Sequence, residues 1–186
     1  MIKKAAMFGL DARIALAIFG ALSVISGAAL YSAIKQAKIT AWVTEMQEIA
    51  KAYEQYYLDT GSQLPAKDVT WLLAEDLVKD NSQTGWNGPY LTYSATNDTT
   101  FTPANFPDTI QFTTFANVDF GDSTTATACT ASDCHAFMYL DDIPLEQADA
   151  IDEMIDGTVD HLKGNVKVYG TTGDRNVYWR FMDRNQ

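Results

Sequence analysis

From residue 7 to residue 60 the hydrophobic and polar positions keep one helical rhythm whose character changes halfway. Ile14 to Ile34 is 21 residues without a charge, long enough to cross a bilayer core of about 30 Å at about 1.5 Å per residue. No proline separates that run from the stretch beyond it. Ile39, Trp42, Val43, Met46, Ile49, Ala50, Tyr53, Tyr56 and Tyr57 then recur at steps of three and four, which marks one apolar helix face. Glu45, Glu48, Lys51 and Glu54 fall on the other side. The pattern predicts a single helix of which residues 7–34 form a protruding membrane half. The other half belongs to a globular head spanning 35–186.

Asp59-Thr60-Gly61 stops the helix, with Gly61 as its C-terminal cap and Pro65 shortly after. Val69 to Lys79 reads as a short helix through Trp71, Leu72, Leu73, Leu77 and Val78. Gly85-Trp86-Asn87-Gly88-Pro89-Tyr90-Leu91 is a turn cluster feeding a strand. Alternation and β-branched or aromatic enrichment predict strands over 90–93, 109–120, 136–140, 166–169 and 177–181. A helix over 145–155 is opened by Pro144 and closed by Asp156-Gly157. The segment 94–132 reads as an elaborated loop-and-strand insertion. The expected fold is α+β, a long N-terminal helix packed on an antiparallel sheet.

With the first 34 residues set aside, about 150 residues remain, enough for one modest domain. The net charge is −11, and losing Lys3 and Lys4 would make it −13. No cluster of Lys and Arg exists to bind phosphates, which argues against nucleic acid. The acidity sits in Asp-rich loops and leaves a divalent cation open. Cys129 and Cys134 bracket four residues. In an oxidising compartment they would close a small disulfide. The rivals are a metal site built with His135, which lacks a second ligand pair because the other histidine is His161, and two unpaired thiols.

Three readings fit the N-terminus. A cleavable secretory signal would use Gly27-Ala28-Ala29, but Asp11 and Arg13 interrupt the approach to the apolar run and the helix pattern continues through the cut. An uncleaved anchor agrees with Lys3 and Lys4 on the cytoplasmic side, a bias that Lys35 and Lys38 weaken. The third reading treats Met1-Ile2-Lys3-Lys4-Ala5-Ala6 as a short basic leader. Asp11 is then a carboxylate at the edge of hydrocarbon, expensive unless it finds a partner. It can pair with Arg13, snorkel to the headgroups, or meet the N-terminal ammonium of a neighbouring subunit.

The basic leader, the acid near the start of the apolar run and the long continuing helix together resemble type IV pilin-like proteins, including the pseudopilins of type II secretion. The order Tyr56, Gly61, Pro65, short helix, Gly85-Trp86-Asn87-Gly88-Pro89-Tyr90 is a second resemblance to major pseudopilins. The resemblance implies removal of the leader by a prepilin peptidase, methylation of the new N-terminus and a Glu at the fifth mature position. Cleavage after Gly9 would make Ile14 fifth. Cleavage between Ala6 and Met7 makes Asp11 fifth, with Ala where the family usually has Gly and Asp where it has Glu. Major pseudopilins often hold calcium in a C-terminal loop, so a Ca²⁺ site is implied too, although its ligands do not map onto this chain one by one.

No nucleophile elbow, phosphate loop, metalloprotease helix or dinucleotide fingerprint occurs. The acid pairs Asp141-Asp142 and Asp119 with Asp122 suit solvated loops or hard-cation ligation better than catalysis. The expected function is structural, and the resemblance implies a homo-oligomeric pseudopilus subunit that polymerises through its N-terminal helix after leader cleavage. Such a subunit would sit in a bacterial inner membrane with a periplasmic head before an assembly platform adds it to the filament. The alternatives are a type IV pilus subunit and a membrane-anchored extracytoplasmic binding domain acting alone.

Overall fold

The computed structural model describes residues 3–103, 106, 108–122, 125–129, 134–170 and 173–183, the side chains of 3–10 and 183 excepted. Helix α1 runs Lys3–Thr60 without a break. The chain divides into two compact units, Met1–Lys38 and Ile39–Gln186.

In the second unit the helix stripe is the core. Trp42, Met46, Ile49, Tyr53 and Tyr56 are each at most 1% exposed, and Ile39, Val43 and Ala52 are buried with them. Ala50 and Tyr57 lie at the margin of the stripe, half-buried. Burying so many large side chains contributes roughly 1.5–3 kcal/mol each, the main force that holds this part of α1 to the sheet. Gly61 ends the helix at φ 67°, with its N–H donating to Tyr57 O at 2.8 Å.

The sheet is antiparallel and six-stranded. Its strands are β1 (Ala95–Asn97), β2 (Thr100–Phe101), β3 (Ile110–Phe115), β4 (His135–Ile143), β5 (Val166–Tyr169) and β6 (Arg175–Asp183), in the order β1-β2-β3-β4-β6-β5. Helix α2 (Leu145–Asp156) follows β4, started by Pro144 and capped by Gly157 in the left-handed region. The α+β expectation holds. Phe101, Ile110, Phe112, Met138, Leu140, Val166, Val168 and Val177 join the α1 stripe in one hydrophobic core. A second cluster of Phe115, Phe120 and Phe137, with Tyr178 against it, covers the other side of β4.

Three elements depart from the sequence expectation. The segment 69–79 is not a helix beyond a 3-10 turn at Ala74–Leu77. Asp68 Oδ1 accepts the N–H groups of Thr70 and Trp71 at 2.7 and 2.9 Å, as an N-cap would, but the N–H groups that a helix would use next go elsewhere, Leu73 N to Pro65 O and Glu75 N to Asp98 O. Trp71 bridges Thr113, and Leu72 donates to Phe112 O, so this stretch extends the edge of β3. Residues 90–93 do not form a strand, since the N–H groups of Tyr90 and Leu91 both go to Leu77 O. The expected strand 109–120 ends at Phe115, and two short strands, β1 and β2, stand inside the segment read as an insertion.

Candidate functional site

The first unit is a surface rather than a pocket. Ile14, Leu16, Ile18, Phe19, Leu22, Val24, Ile25 and Leu30 are all more than half exposed on α1. These positions advance around the whole helix circumference instead of keeping to one face. A helix apolar all round needs lipid or other helices as its solvent. It is long and apolar enough to cross a membrane, and none of that stretch is buried. Gly20 and Gly27 have nothing within 4 Å of a Cβ position, so no close approach in the subunit accounts for them.

Asp11 and Arg13 are both exposed on α1. Two positions apart, they point to different helix faces and do not form a natural intrahelical pair. Ala6 and Met7, the residues flanking the expected cleavage, lie within α1, and their side chains fall outside the described residues.

Cys129 and Cys134 form a disulfide with Cα atoms 5.8 Å apart. Neither sulfur is therefore a thiolate for a metal site with His135, and the reading as two unpaired thiols falls as well.

The loop Gly157–Asn165 between α2 and β5 carries one acid of its own, Asp160, and meets others from outside it. Helix α2 sets three carboxylates against it at helical spacing. Asp149 Oδ1 lies 2.8 Å from His161 Nε2. Asp152 Oδ2 accepts from Asp160 N at 2.9 Å. Asp156 takes the N–H groups of Asn165 and Val166 at 2.7 and 2.8 Å, and its other oxygen takes Asn165 Nδ2. Across the loop, His161 Nδ1 lies 3.1 Å from Asp122 Oδ1. Asp122 is held by its own backbone, with its N–H on Val168 O and its carbonyl accepting from Gly170 N.

Burial works against charge on His161, but its hydrogen bonds to Asp149 and Asp122 outweigh it and raise the imidazole above its ordinary 6.5. Asp152 is wholly buried, and burial pushes its carboxyl up to about 6 despite the Asp160 N–H. Its Oδ1 has no protein partner.

These donors do not fit a calcium ion. Calcium needs about 6–8 oxygens, and the carboxylates of Asp149 and Asp156 already accept from a ring nitrogen and from N–H groups. Among the described residues no group of three or more His, Cys, Asp or Glu is placed to hold a metal ion. Asp141 and Asp142 sit at the end of β4, and Asp142, at φ 50°, is raised by the Asp141 charge beside it. Asp122 serves the His161 bridge, while Asp119 belongs to the electrostatic surroundings of Lys167.

The pairing of His161 and the burial of Lys167 escaped the sequence reading. The spacing of Asp149, Asp152 and Asp156 was a readable signal of one acidic helix face. Comparison of the chain with protein-family models, curated proteins and solved structures gave no match. The class reached is thus architectural: a long apolar N-terminal helix, an antiparallel sheet against its second half, and one disulfide, an arrangement compatible with a pilin-like fold.

Proposed function

We propose that the chain is a structural subunit of a pilin-like filament, of the type II secretion pseudopilus kind. It would be cleaved between Ala6 and Met7 by a prepilin peptidase and polymerise through α1. One observation carries this reading: a single helix gives half its length to the core of a folded head and leaves the other half apolar on every side. A membrane anchor of a solitary domain needs the span but no such helical continuation into the head. Before assembly the apolar half lies in the inner membrane, and in the filament it lies against sibling helices. The Cys129–Cys134 bond supports a head facing an oxidising compartment. Nothing in this role requires catalysis or a nucleic-acid partner.

Mass spectrometry of the mature N-terminus tests the proposal. A chain starting at Met7 is expected, carrying a methyl group on its new amine. An intact Met1, or a start near Ala29 or Leu30, would remove the filament reading and favour an anchored or secreted domain acting alone.

A further inference from the structure

Lys167 is 1% exposed, in the middle of β5, where its neighbours Val166 and Val168 are core residues. A buried ammonium is costly unless its donors are used. Its Nζ turns back onto the preceding loop and donates to Leu162 O and Gly164 O, both at 2.9 Å. Burial lowers its pKa, and the Asp119, Asp156 and Asp160 carboxylates oppose that fall. Two carbonyls of the loop, Leu162 O and Gly164 O, turn to one point, as loop carbonyls do around a bound cation. They converge on a positive charge that the chain itself provides.

We infer that Lys167 is the resident cation of the 157–165 loop, organising its carbonyls in place of a divalent metal, so that the head keeps its fold without one. The surrounding acids agree with this assignment. Asp156 is committed to the N–H groups that start β5, and Asp160 Oδ1 takes Leu162 N at 3.1 Å. Among the buried carboxylate oxygens described around this loop, Asp152 Oδ1 is the one without a partner, and one buried oxygen does not make a calcium shell. The inference does not depend on the filament reading, because it concerns how the head is held together.

The full chain in detergent micelles decides it. Melting followed by tryptophan fluorescence should coincide, within about 2 °C, in excess EDTA and in millimolar calcium. A melting point that falls with EDTA and returns with calcium would overturn the inference. Lys167→Met keeps the aliphatic stem and removes the ammonium. It should melt roughly 10 °C lower, because the Leu162 and Gly164 carbonyls lose the donor that holds the loop to β5. Its hydrogen-exchange protection should fall chiefly over residues 160–168. A variant that melts with the wild type, or loses protection evenly, would also overturn it. If the Met variant does not fold, the chelation result on the wild-type chain decides by itself.

Discussion

Tyr93 donates its hydroxyl to Glu45 Oε1 at 3.0 Å, tying the segment that enters β1 to a carboxylate on α1. Glu45 Oε2 is buried beside it with no protein partner. This bond draws a residue from the helix's polar side into the margin of the core. Tyr93→Phe removes the one donor and should destabilise the head by about 1–2 kcal/mol, read as a shift in urea midpoint. A change within error would mean that water serves Glu45 equally well. Burial, then the bond to Glu45, raises Tyr93 from 10.0 to about 12, and burial raises Tyr56 to about 12. Both hydroxyls keep their protons in the folded state where the unfolded chain loses them. Their contribution is whole below pH 10 and lost as pH rises towards 12. The head should therefore unfold cooperatively in that alkaline window, with Tyr93→Phe losing part of the pH step.

His161 gives a second pH dependence in a different range. Two carboxylate acceptors on opposite ring nitrogens are served together only by the doubly protonated imidazolium. Its raised pKa makes its contribution full below about pH 6.5 and lost as pH climbs through the folded value. Asp152 acts in the same direction lower down. It holds a proton in the folded state between 3.8 and about 6 that the unfolded chain has released, so stability falls as pH rises across that interval. The chain has two histidines, so imidazole resonances separate His161 from His135 in an NMR titration. His161 should titrate above the ordinary value and Asp149→Asn should bring it down. An unshifted His161 would mean that the bridge does not persist in solution.

What could be read from the chain in advance was whatever repeats locally. The α1 stripe, α2 between Pro144 and Gly157, and β5 at Val166–Tyr169 all follow from spacing within a dozen residues. The segment 69–79 misled because its apolar residues have helical spacing, while the amides of Leu72, Leu73 and Glu75 go to the distant carbonyls of Phe112, Pro65 and Asp98 and Trp71 pairs with β3. Residues 90–93 misled for a related reason: their composition is strand-like, but their amides serve Leu77 O across a turn. The site behaves likewise. An exposed apolar span is legible from composition. The contacts of His161 with Asp122, and of Tyr93 with Glu45, join residues 39 and 48 positions apart. No local pattern announces such pairs.

The Cys129–Cys134 bond closes a loop with a sequence separation of only 5. A crosslink that short removes little freedom from the unfolded chain, so reducing it should cost about 2 kcal/mol or less. Denaturation with and without reductant measures this. A larger loss would show that the loop packs against the second aromatic cluster in a way that depends on the bond. Free thiols titrating in the native exported protein would contradict the pairing itself.

Asp11→Ala tests the assembly role proposed for the carboxylate. The apolar layer offers it little stabilisation within one subunit, whereas a neighbouring subunit's ammonium offers a charge partner. The variant should fold and insert into membranes like the wild type yet yield far less filament. Wild-type filament levels from the substituted chain would sink the proposal, and a failure of insertion would place Asp11 in membrane targeting instead.

Removing residues 1–34 separates the two demands made of α1. The second unit contains its own core, with Trp42, Met46, Ile49, Tyr53 and Tyr56 buried against the sheet, so it has what a domain needs to fold. The exposed apolar residues from Ile14 to Ile34 contribute nothing to that core. In water they form a surface larger than a soluble monomer tolerates. The fragment 35–186 should therefore be soluble, cooperative in thermal unfolding and monomeric by sedimentation, with the pH behaviour of Tyr93 and His161 unchanged. The full chain should need detergent to reach the same state. An insoluble or unfolded fragment beside a stable full chain would mean that the N-terminal half of α1 supports the head directly, and the division of labour along the helix would be wrong.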